Sequence, residues 1–127
     1  PTQAYLDSLS FSSLVSATDV ASGPSFLVSV AANANGAGNV YVIDGTQKKS
    51  ITLEVGVNYI FNHSTDHPLR FSTTPDGTHG GGVEYALGVY TYNPGRTEIE
   101  VHSETPTTLY YYCSIHPGMG GSITISG

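Results

Sequence analysis

A single cysteine in 127 residues excludes an internal disulfide, so stability must come from packing, hydrogen bonds or a bound ion. Charge is scarce as well. Only 11% of the residues are charged, and four lysines and arginines against ten acids leave a formal net charge of −6. That balance argues against nucleic acid as a partner, since phosphate binding needs a basic surface. It suits a basic protein partner, or plain solubility. No apolar run approaches the roughly 18 residues that a membrane helix needs, so no membrane span is expected. The longest, Phe26 to Ala32, is interrupted by Ser29. The opening residues show none of the basic, apolar and small-residue zones of a secretory signal peptide. The chain therefore reads as a mature product, an excised domain or a protein that is never exported. One domain is expected at this length, burying roughly two-thirds of the surface its unfolded form exposes.

Two segments differ in character. Residues 1–24 are rich in serine, alanine and threonine and end in the punctuating Ser22-Gly23-Pro24. They form an N-terminal extension, read either as a flexible lead-in or as an arm that docks on a neighbouring subunit. Weak 3–4 spacing of apolar residues allows a short helix over residues 4–15. Residues 25–127 carry strand signals and no helical pattern. Phe26 to Ala32 ends at Asn35-Gly36, and Val40 to Ile43 ends at Asp44-Gly45, both turn signatures. Ile51 to Val55 alternates with period two, Gly56 breaks the run, and Val57 to Asn62 resumes it. Leu69 to Thr73, a short strand within Tyr85 to Tyr92, Thr97 to His102, the tyrosine-rich run before Cys113, and Gly120 to Ser126 complete the pattern. Eight or so short strands at regular spacing predict an all-β sandwich. Between them lies a glycine loop, Thr78-His79-Gly80-Gly81-Gly82, whose shape the sequence leaves open.

The chemistry concentrates near the end. Tyr110-Tyr111-Tyr112-Cys113-Ser114-Ile115-His116-Pro117-Gly118-Met119 holds the only cysteine and the only methionine, with a histidine three positions from each. A thiolate, an imidazole and a thioether make a soft to borderline donor set, which suits copper. Zinc is less suited because a thioether is a poor zinc ligand. The pattern puts Cys113 at the end of one strand, His116 on the loop and Met119 at the start of the next. With Cys113 pointing inward, Leu109 and Tyr111 share its face while Tyr110 and Tyr112 face away. A buried Tyr111 then needs a partner for its hydroxyl.

The stretch "LYYYCSIHPGMGGSITI" resembles the ligand loop of the cupredoxins, small blue copper proteins of the plastocyanin and amicyanin type. Its C-x2-H-x2-M spacing is the amicyanin variant. In that family a second histidine comes from an upstream strand within an apolar alternating pattern, and "DHPLRF" fits it: His67, then Leu69 and Phe71. The resemblance spans residues 25–127 and implies a Greek-key β-sandwich. It also implies one type 1 copper ion held by His67, Cys113, His116 and Met119, and one-electron transfer as the function. One position departs: Pro68 stands where the family usually has an asparagine that ties the two ligand loops together. His63, His79 and His102 are expected to be surface or hydrogen-bonded histidines, with His63 the fallback ligand.

No nucleophile–base pair, phosphate-cradling loop or second metal centre is present, so an enzyme is not expected. An electron carrier would meet a redox protein through the apolar rim of Pro68, Pro117 and Gly118 around His116, and would work in a periplasm or outside a cell. A second resemblance competes. "DHPLRFSTTPDGTHGGG" with "LYYYCSIHPGM" is similar to modules of marine bacteria and of their phages' virion proteins. That implies a structural virion component (capsid decoration, neck or tail) with copper structural or absent, and contacts to neighbouring subunits through the N-terminal arm. Oligomeric state separates the two: a carrier is a monomer, a shell component a ring, trimer or lattice.

Overall fold

The computed structural model describes residues 23–127. Most of the expected N-terminal arm, residues 1–22, and the short helix over residues 4–15 lie outside the described residues. Ten strands are present among those described: β1 (Ser25–Ala32), β2 (Asn39–Ile43), β3 (Thr46–Gln47), β4 (Ile51–Glu54), β5 (Asn58–Asn62), β6 (Leu69–Ser72), β7 (Val89–Tyr92), β8 (Arg96–Glu100), β9 (Thr108–Cys113) and β10 (Gly121–Ser126). The expected runs are all there, within a residue or two at most ends. Two features go beyond expectation. β3 is only two residues long, too short to show a period. The glycine loop folds as a 3-10 turn, Gly77–Gly80, where no helix of any kind was expected.

The strands form a four-stranded sheet, β4-β10-β9-β6, and a six-stranded sheet, β3-β2-β1-β5-β8-β7. Most neighbours are antiparallel, but β10 pairs with β4 in parallel (Ile123 opposite Ile51) and β1 with β5 in parallel (Phe26 opposite Phe61). Parallel neighbours cannot be joined by a hairpin, so the chain crosses between layers, as the Greek-key expectation requires. The fold is an all-β sandwich of two mixed sheets.

Alternation decides what lies between the sheets. Ile51 and Leu53 point in while Thr52 and Glu54 point out, and Leu69 and Phe71 point in while Arg70 is on the other side. The buried cluster joins Tyr41, Ile43, Phe61, Ile99, Leu109, Tyr111, Cys113, Met119 and Ile123 from both layers. Phe26 stacks on Phe61 at 4.9 Å, and Phe61 meets Phe71 edge-on at 5.4 Å. Each such side chain contributes roughly 1.5–3 kcal/mol by leaving water. This core gives a fixed base to the end of β9, which carries Cys113, and to the start of β6, which follows His67.

The parity reading of β9 holds with one addition. Leu109, Tyr111 and Cys113 face the core, yet Tyr112 on the opposite face is also buried, at 1% exposure. The 3-10 turn covers it. At Gly77 the backbone has φ +54°, and an added Cβ would collide with the Tyr112 ring, so glycine permits both the conformation and the approach.

Candidate metal centre

Strand pairing brings the distant donors together. β9 runs antiparallel to β6 with Cys113 opposite Leu69, and the ladder extends past the strand ends through Ser114 N–H donating to the Pro68 carbonyl at 3.0 Å. This places His67, just before the start of β6, beside Cys113 at the end of β9. His67 is held locally by a turn in which its N–H donates to the Ser64 carbonyl (3.2 Å) and Asp66 N–H donates to Ser64 Oγ (3.2 Å). The chain then turns through Ser114–Gly118, with Gly118 N–H donating to Asp76 Oδ1 at 2.9 Å, and re-enters the core at Met119.

The result is a compact donor cluster. Cys113 Sγ lies 3.8 Å from His67 Nδ1 and 3.7 Å from His116 Nδ1, and the three donor atoms all fall within 4.8 Å of one another. Cys113 is fully buried, His67 partly so, and His116 exposed. The imidazole rings stand 4.8 Å apart, tilted by 45°. Met119 is buried at 1% exposure in the same core.

These separations fit a shared ion. Metal–nitrogen and metal–sulfur bonds of roughly 2.0 and 2.3 Å, opened to about 120°, put the sulfur about 3.7 Å from each nitrogen. The alternative, a thiol with hydrogen bonds only, is less well matched: one S–H can donate to one imidazole, and the other ring must then donate to a weak sulfur acceptor. His67, Cys113 and His116 could thus share a metal once the two imidazoles close on it, and the thioether of Met119, buried two residues before β10 begins rather than at its start, is the remaining soft donor.

The three other histidines lie elsewhere, as expected. His63 Nε2 meets Thr97 Oγ1 at 2.9 Å and its Nδ1 meets the Ser64 carbonyl at 3.0 Å. His102 is exposed beside Glu100. His79 is more interesting. Its Nε2–H donates to the Cys113 carbonyl at 2.8 Å, and its ring stands edge-on to Tyr112. The glycine loop therefore reaches the backbone of a proposed ligand.

Buried tyrosines complete the surroundings. Tyr111 donates to the Lys49 carbonyl at 2.7 Å, which supplies the partner its burial required. Burial pushes its hydroxyl well above the usual phenol range. Tyr41 is raised still further, first by burial and then by the Cys113 thiol beside it. Its hydroxyl is thus a neutral hydrogen-bond donor. Around the exposed edge of the cluster stand Pro68, Pro117 and Ile115, the last 56% exposed. Pro68 also lines a cleft of about 480 Å³ with His63, Arg70, Tyr92 and Arg96, which gathers both arginines of the chain.

No family model and no curated protein matches the chain. Among solved structures, it is similar to rusticyanin from Thiobacillus ferrooxidans at 21% identity, covering 82% of this chain and 79% of that one, with a TM-score of 0.41. It is likewise similar to reduced rusticyanin at 21% identity, covering 82% and 81%, with a TM-score of 0.39.

Proposed function

We propose that the protein binds one type 1 copper ion, which His67, Cys113 and His116 would hold with Met119 as a further, weaker donor, and carries single electrons. The convergence of one sulfur and two imidazole nitrogens, with both sulfur–nitrogen separations suited to a shared ion, carries this reading. Bound copper supplies the one-electron couple between Cu(I) and Cu(II). The chain supplies the rest. Cys113 binds as the thiolate, and its strand position keeps the sulfur inside the core. Mixed sulfur and nitrogen donors on a stiff sandwich suit both valences without large movement, which keeps reorganisation low. His116, exposed at the rim of Pro68, Ile115 and Pro117, offers an edge to a redox partner protein. A carrier of this kind is expected in a periplasm or outside a cell. No helix among the described residues is long and apolar enough to cross a membrane.

The test is to add Cu(II) to metal-free protein and record the visible spectrum. An intense thiolate-to-copper band should appear at one equivalent and be absent in Cys113→Ser. A wild-type protein that stays colourless refutes the proposal.

A further inference from the structure

Tyr41 lies on β2, in the sheet opposite β6, β9 and β10, and is fully buried. It nevertheless reaches three of the four proposed ligand residues. Its hydroxyl donates to the His67 carbonyl at 2.6 Å, and its main-chain N–H donates to the Met119 carbonyl at 2.9 Å. The Cys113 thiol stands beside the same hydroxyl. The first bond has unusual weight because of the residue that follows. Pro68 has no N–H, so the carbonyl of His67 is the sole hydrogen-bonding group of the peptide joining them. Tyr41 takes it. A buried tyrosine needs some acceptor for its hydroxyl, and Tyr111 shows what an ordinary solution looks like, donating to Lys49 away from the donor cluster. The acceptor of Tyr41 is instead the backbone of a donor residue.

We propose that Tyr41 is a positioning residue, a strut across the sandwich that sets the spacing of His67 from Cys113 and Met119 before any metal arrives. This rests on the copper reading for its purpose, but the strut itself belongs to the metal-free chain. Pre-setting the spacing matters because a centre whose donors are already placed changes valence with little motion.

Tyr41→Phe and Tyr111→Phe form a matched pair, since each removes one buried hydroxyl bond and keeps its ring. In metal-free protein, amide hydrogen exchange is read at His67, whose N–H bonds Ser64, and at Ser114, whose N–H bonds Pro68. Tyr41→Phe should speed both amides by about fivefold relative to core amides such as Leu53, as expected for one lost hydrogen bond. Tyr111→Phe should leave that ratio unchanged. After Cu(II) addition, Tyr41→Phe should alter the relative intensities of the thiolate bands and broaden the copper hyperfine lines, with Tyr111→Phe like wild type. Equal ratios in the two variants, or copper spectra of Tyr41→Phe identical to wild type, overturn the assignment. A wild-type chain that takes up no copper defeats the metal reading alone, and the exchange ratios still decide whether Tyr41 holds the loop.

Discussion

Replacing Gly77 by alanine puts the structure to a quantitative test. Gly77 is buried in the 3-10 turn at φ +54°, and a Cβ there meets three atoms of the Tyr112 ring. Two costs add. A non-glycine residue in the left-handed region costs about 1–2 kcal/mol, and forcing a methyl into a filled site costs about 1–3 kcal/mol. Tyr112 cannot simply swing away, because it is 1% exposed and the His79 ring stands edge-on to it at 6.2 Å. The expected loss is therefore about 2–5 kcal/mol. Gly81→Ala separates the two costs, since Gly81 has φ +88° but nothing within 4 Å of an added Cβ. It should lose only the backbone part, about 1–2 kcal/mol. Urea unfolding of metal-free protein reads both, as a lower midpoint at unchanged slope. The displaced turn should also weaken the hydrogen bond from His79 to the Cys113 carbonyl, visible as a shift of the His79 Nε2–H resonance in Gly77→Ala alone. If the two variants lose the same stability, the packing of Gly77 on Tyr112 is not as described.

Two further tests reach other parts of the molecule. His63 is held below its usual pKa, chiefly by burial and also by nearby Arg70, and against the pull of the Ser64 carbonyl. The unfolded chain then takes up the proton first, so stability should fall as pH drops through about 6.5, the ordinary histidine value, and level off below the folded pKa. His63→Gln should flatten that slope in urea midpoints taken across the range, and an unchanged slope would count against it. At the other test site, Arg96 Nε lies 3.0 Å from Glu98 Oε2, whose side chain is only 5% exposed, although the two are not aligned as a hydrogen bond. Arg96→Ala should cost about 2 kcal/mol by leaving the carboxylate unpaired, whereas Arg96→Met with Glu98→Leu should recover most of the loss. Thermal melts of both variants decide, and equal losses would contradict this account.

The strands were legible because alternation and turn residues agreed locally. Ile51–Glu54 reads as a half-buried strand from its letters, and Asp44-Gly45 marks the turn after β2 without help from the rest of the chain. Cys113, His116 and Met119 were legible because they are neighbours in sequence. His67 needed the resemblance, since nothing local links it to a cysteine 46 positions on, and only the β6–β9 register shows why they meet. Tyr41 and His79 could not be read at all. A tyrosine in a valine-rich strand looks like core filler, and a histidine among glycines looks like loop. Their significance lies in which carbonyl each meets, a matter of tertiary geometry that leaves no periodic trace. Tyr112 was half legible: its facing followed from parity, its burial from a turn that glycine content disguises.

The placement of β10 has a consequence for biogenesis. Gly121–Ser126 is an interior strand, flanked by Ile51–Glu54 on one side and Thr108–Cys113 on the other. Until it leaves the ribosome, the four-stranded layer has a gap at its middle, and the earlier strands expose unpaired edges. Three of the four proposed ligands emerge just before it. The segments that carry them thus precede the strand that closes their layer, and a nascent chain stalled before residue 121 would be a liability for aggregation.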